Sequence, residues 1–102
     1  MTYSEIVSSI NINLVKFKRG KNHNCFFIGI TNNLDKKLYG SHKINRDTDW
    51  HIIYQADSLE IAEDVIYYFG ILGMNSNHAE SYSNNDKTFW VYCYEITMHS
   101  VE

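Results

Sequence analysis

The sequence has no proline among its 102 residues. Nothing inside it forces a kink or a helix end, so its turns fall to Gly, Asn, Asp and Ser. Glycine is scarce as well, with five residues. Cysteine occurs only twice, as Cys25 and Cys93, in separate strand-like apolar runs. Two isolated cysteines make neither a zinc signature nor a disulfide framework, which leaves buried free thiols and a reducing compartment as the expectation. The five histidines, His23, His42, His51, His78 and His99, form no i, i+3 or i, i+4 pair with one another, which argues against a metal cage built from them. No apolar run nears the roughly 18 residues of a membrane span. Residues 1–10 carry Glu5 and no cationic segment, so no secretory signal is expected. Global disorder is excluded by a composition of 44% hydrophobic and 21% charged residues. One domain spanning 1–102 fits this length.

Basic charge is nearly absent from the second half. Eight of the nine basic residues lie between Lys16 and Arg46, opposed there only by Asp35, a local charge of +7. From Asp47 onward there are ten acids and only Lys87, a charge of −9. The expectation is a cationic face opposite an acidic one, with mutual neutralisation of the two halves as the alternative. The acidic total of −3 counts against strong binding to long nucleic acid, where phosphate neutralisation dominates affinity. Asn, Ile, Tyr and Lys supply 38 of the 102 residues. These are the residues of AT-rich codons, and they point to a low-GC bacterium or its phage.

What is present reads as alternating elements. Thr2 and Glu5 form a capping box for a short helix to about Ile10. Residues 12–18 and 24–30 read as two strands joined through Arg19-Gly20-Lys21-Asn22, a β-hairpin. Asn32 caps a second helix from Asn33 to about Tyr39, stopped by Gly40. Residues 50–56 are a third strand. Ser58 caps the clearest helix, about 59–72, with Leu59, Ala62, Ile66 and Phe69 as its apolar stripe and Gly73 as its end. The polar stretch Asn75–Asp86 reads as a loop. Thr88–Ile96 is a fourth, aromatic strand, suited to a sheet edge or an interface. The expected fold is α+β, a small antiparallel sheet with flanking helices in the order αββαβαβ.

The segment Phe27-Ile28-Gly29-Ile30-Thr31-Asn32-Asn33-Leu34-Asp35-Lys36-Lys37-Leu38 resembles the GIY-YIG nuclease family. That family's motif runs Tyr-Ile-Gly-x-Thr-x-Asn-Leu-x-x-Arg-Leu after a β-hairpin. The resemblance covers about residues 14–72 and implies a GIY-YIG-like domain. It sets Phe27 where the family has a tyrosine and Lys37 where it has its catalytic arginine. His42 resembles the family's following histidine, one residue late, and Glu63 its metal-binding glutamate. The first strand, Leu14-Val15-Lys16-Phe17, has no tyrosine. Phenylalanine cannot move a proton, and lysine lacks the bidentate fork of arginine. One remaining carboxylate, Glu63, holds Mg²⁺ weakly. The resemblance thus implies a degenerate member, with no catalytic set and no cofactor.

The backbone amides of Thr31–Leu34 at a helix start, together with the lysines, suggest a site for an anion. The expected ligand-binding residues are Arg19, Lys21, Thr31, Asn32, Lys36, Lys37, Tyr39, His42 and Trp50, with a phosphate-bearing nucleotide or cyclic nucleotide as ligand. Among the aromatics, Tyr39, Trp50, Tyr54, Trp90 and Tyr92 offer faces on which a base could stack. Such a chain, in the cytoplasm, suits a phage protein that sequesters a host signalling nucleotide. Two other readings stay open: a residual nuclease or nucleic-acid-binding domain, and a protein-interaction module using the acidic run Asp57, Glu60, Glu63 and Asp64. A homo-oligomer is compatible with each.

Overall fold

The computed structural model describes residues 1–17, 22–33, 35–44, 49–76 and 88–97. Their elements follow in the order α1 (Tyr3–Phe17), a 3₁₀ turn (His23–Cys25), β1 (Phe26–Thr31), a π-helix (Asp35–Ser41), β2 (His51–Ala56), α2 (Leu59–Ile71), β3 (Asn75–Ser76) and β4 (Phe89–Glu95). This is an α+β domain built on one four-stranded sheet of order β2-β4-β1-β3. The sheet is mixed rather than antiparallel: β4 runs antiparallel to both β1 and β2, while β3 pairs parallel with β1. β4 is therefore an interior strand, not the edge strand its aromatic content suggested.

The expected hairpin does not form. Residues 12–17 continue α1, and β1 pairs with β4 and β3 instead. Ile12 and Leu14 alternate as in a strand, but Ile6, Ile10 and Leu14 also repeat at i, i+4 and i+8, and those three are the buried ones. The helical period wins because it places one continuous stripe on the core, whereas the strand reading would have left Ile6 and Ile10 on a separate stub. Most of the expected hairpin turn, 19–21 of 19–22, lies outside the described residues. So do residues 77–87, which include most of the expected loop.

The caps are formed as read. Thr2 N–H donates to Glu5 Oε1 (3.0 Å), and Glu5 N–H donates to Thr2 Oγ1 (3.3 Å). Ser58 Oγ accepts from Ile61 N–H at 3.2 Å. Gly73 ends the second helix at φ +112°, a backbone angle that side chains rarely adopt.

The sheet is covered on both faces, which explains the unbroken apolar run in β1. Phe26 and Ile28 join Val91, Cys93 and the helix residues Ile6, Ile10, Leu14, Ala62, Val65, Ile66 and Phe69 in the larger core. Phe27 points the other way, with Tyr92, Tyr94, Leu38 and Ile44. The molecule is thus three layers: α1 and α2, the sheet, and the segment 35–44. Each fully buried Ile or Phe contributes about 1.5–3 kcal/mol of transfer free energy, so the helical side dominates stability.

Two expected outcomes follow. Burial pushes the Cys93 thiol well above the ordinary range, whereas Cys25 is only half-buried. A thiol-reactive chromophore should titrate one thiol per chain, Cys25, in native buffer, and two in denaturant. The Glu5 carboxyl is held below its ordinary range, first by the Thr2 backbone N–H and then by the Thr2 hydroxyl. A lowered carboxylate stabilises the fold above its ordinary range, and that contribution is lost as pH falls through the lowered value. Helicity followed by circular dichroism between about pH 2 and 5 should therefore decline less steeply in Glu5→Gln.

Candidate functional site

The segment 35–44 is fixed to the sheet by an imidazole. His42 is 3% exposed and lies over Phe27, ring centroids 4.8 Å apart. Its Nε2 is 2.9 Å from the Tyr92 hydroxyl, and its Nδ1 is 2.9 Å from the Tyr94 hydroxyl. A neutral imidazole has one N–H and one lone pair, so it donates to one tyrosine and accepts from the other. The tyrosines reach it because they sit at i and i+2 of β4, on one face, with stacked rings 6.4 Å apart. Gly29, opposite Tyr92 in the register, makes the room: a Cβ there would collide with the Tyr92 hydroxyl.

Local bonds shape the segment around this anchor. Thr31 Oγ1 accepts from Asn33 N–H (3.0 Å) and donates to the Asn33 carbonyl (3.0 Å). Asn33 caps the turn: its Oδ1 accepts from Lys36 N–H at 3.2 Å, and its carbonyl accepts from Lys37 N–H at 3.1 Å. Lys43 adopts φ +57°, which turns the chain so that Ile44 returns to the core beside Leu38. A second tyrosine–histidine pair lies nearby. Tyr39 Oη is 3.0 Å from His51 Nε2, and His51 Nδ1 is 2.7 Å from the Asp49 carbonyl. A carbonyl only accepts, so His51 Nδ1 carries the proton and Tyr39 donates to Nε2.

The structure separates the expected site residues. Lys36 is exposed and Lys37 half-buried, both on the π-helix, with Tyr39 half-buried beside them and Asn32 exposed just before. Thr31 and His42 are buried, so their polar atoms serve the fold. Trp50 stands on the other face of the sheet, stacked on Phe17 at 4.4 Å and edge-on to Phe26. Tyr92 is sealed, and Tyr54 accepts from Asn13 Nδ2 at 2.7 Å within the helical side. Of the amides expected to receive an anion, that of Asn33 is engaged by Thr31 Oγ1 within the turn itself. Arg19 and Lys21 lie outside the described residues. Of the other basic residues in the cationic stretch, Lys16 is on α1, across the sheet from Lys36 and Lys37, so the described ones do not share a single face.

The same division applies to the set implied by the resemblance. Glu63 is exposed on α2, in the layer over one face, while Lys37 belongs to the segment over the other. The three hydroxyl and imidazole groups around Phe27 are no more than 3% exposed, out of reach of any substrate. Among the described residues no group of three or more His, Cys, Asp or Glu converges as a metal site. Sequence reading overlooked the Tyr–His–Tyr cluster. Its signal was available in β4, where hydroxyls alternate with Val91 and Cys93 and thus require a polar partner on one face.

The cluster should behave as a coupled unit. His42→Leu should cost about 1–3 kcal/mol in denaturant unfolding, because it leaves buried hydroxyls short of a partner. A double-mutant cycle with Tyr92→Phe should give a coupling of about 0.5–3 kcal/mol, and a cycle with the distant Tyr54→Phe should give none. Comparison with protein-family models, with curated proteins and with solved structures finds no match for this chain.

Proposed function

We propose that the chain is a non-catalytic binding protein, and that the segment 35–44 receives an anionic, phosphate-bearing small ligand of the nucleotide or cyclic-nucleotide class. The observation that carries this reading is the way Leu38, His42 and Ile44 fasten that segment to the sheet, so that Lys36, Lys37 and Lys43 are carried on a fixed element. Cations held in place before the ligand arrives lose less entropy on binding than cations on a mobile loop. Tyr39, half-buried, and Asn32, exposed, lie close to these lysines in sequence and offer a ring and an amide. The Asn33 amide of the preceding turn is already engaged by Thr31, so recognition rests on side chains rather than on a helix terminus.

Chemistry on a phosphodiester is disfavoured by the same geometry. The imidazole and hydroxyls are buried, and the remaining carboxylate of the resemblance, Glu63, is on the far layer. A protein that binds without converting acts by sequestration, which suits a phage of a low-GC bacterium, one of the two sources to which the residue usage points. Two free thiols fit a reducing cytoplasm as the place of action. No described helix is long and apolar enough to cross a membrane.

Calorimetric titration with a panel of mono-, di- and cyclic nucleotides should find a ligand. Lys37→Ala should weaken it about ten- to a hundredfold, the equivalent of a charged contact of roughly 1.5–3 kcal/mol. Lys87→Ala, outside the basic stretch of the sequence, should change it little. The same preparation with Mg²⁺ or Mn²⁺ should leave DNA and RNA intact. Cleavage abolished by Glu63→Ala would reverse the reading in favour of a nuclease.

A further inference from the structure

The layer formed by α1 and α2 carries two apolar patches that face away from the sheet. The first is a groove of about 440 Å³ lined by Tyr3, Asp64, Tyr67, Tyr68, Ile71 and Leu72. Tyr67 is 69% exposed and Ile71 68%. The second is on α1, where Ile12 is 56% and Val15 82% exposed. Single exposed hydrophobics are ordinary on protein surfaces, but a contiguous groove of four or five is a mark of an interface.

Helical geometry turns each patch away from the core stripe of the helix that carries most of it. Ile6, Ile10 and Leu14 turn one side of α1 toward the core, and Ile12 and Val15 fall on the opposite side at 100° per residue. Ala62, Val65, Ile66 and Phe69 do the same for α2, leaving Glu60, Asp64, Tyr67 and Ile71 outermost. Tyr3 meets Tyr68 edge-on at 6.4 Å, so the groove lies at the beginning of α1 and the apolar ridge toward its end. Charge follows the same division. The groove has Asp64 in its wall, with Glu60 and Glu63 exposed on the preceding turn of α2, whereas the ridge is followed directly by exposed Lys16.

A groove with an acidic wall and a ridge with a basic end, both carried by the helical layer, are what a two-fold interface needs, because each copy offers both halves of the contact. We propose that a second copy of this chain covers the groove: the helical layers meet face to face, Ile12 and Val15 of each copy enter the groove of the other, and Lys16 lies against Asp64 across the interface. This pairing leaves the segment 35–44, on the far side of the sheet, open for its ligand.

Sedimentation equilibrium of the full chain across a concentration series tests the pairing. The unaltered chain should dimerise. Val15→Asp and Ile71→Asp, both at solvent-facing positions, should each weaken the dimer at least tenfold with the thermal midpoint of the monomer retained. Lys16→Asp and Asp64→Lys should each weaken it several-fold, and the double exchange should recover most of the loss. A chain that stays monomeric at every concentration overturns the proposal and assigns the groove to a foreign segment. A dimer indifferent to Val15→Asp and Ile71→Asp overturns it as well, as does a double exchange whose losses simply add.

Discussion

His42 closes a face of the sheet that apolar side chains alone would leave poorly specified. The segment it anchors is short and π-helical, and it contributes only Leu38 and Ile44 as buried apolar anchors of its own. Two hydroxyls on neighbouring positions of β4 meet the two nitrogens of one ring, which fixes the ring's direction and the register of the segment together. A buried polar group is costly without partners and specific with them. Gly29 belongs to the same constraint, since only a residue without a Cβ lets the Tyr92 hydroxyl occupy its position. The arrangement of lysines over the sheet depends on that fit.

Much of the architecture was legible in local chemistry. The Thr2/Glu5 and Ser58 caps, the Ala62, Ile66 and Phe69 part of the α2 stripe and the left-handed Gly73 are decided within a few residues, and sequence reading of them agrees with the fold; Val65, not Leu59, completes the stripe. Strand β1 was legible for the same reason: a run such as Phe26-Phe27-Ile28 has nowhere to go but between two covered faces. Residues 12–17 were misread because two periods coexist there, and only the packing partner decides between them. No local rule announces that β1 has β4 for a neighbour, since the paired positions are more than fifty residues apart.

The site was less legible than the fold. Charge counting located a cationic stretch in the sequence but could not tell that Lys16 and Lys37 stand on opposite sides of a sheet. Motif spacing drew Phe27, Lys37 and Glu63 into one constellation, and the layering assigns Lys37 and Glu63 to separate sides. His42 stood out by its place after the lysines, yet its role depends on Tyr92 and Tyr94, which arrive from another part of the chain. A residue's chemistry can be read from its letter, whereas its access to solvent depends on what is laid over it.

The position of β4 also governs when this molecule can acquire its structure. The strand is inserted between β2 and β1, so the two earlier strands have no contact through the ladder until it arrives. Pairing Phe26 with Glu95 and Ala56 with Phe89 closes long stretches of chain, and such closure is entropically slow. On the ribosome, α1 and α2 can form as they emerge, but each keeps an apolar stripe waiting for a sheet that does not yet exist. Synthesis of residues 89–95 is the event that converts two provisional helices and loose strands into a folded domain, and an arrest before it would release a chain with its core exposed to aggregation and proteolysis.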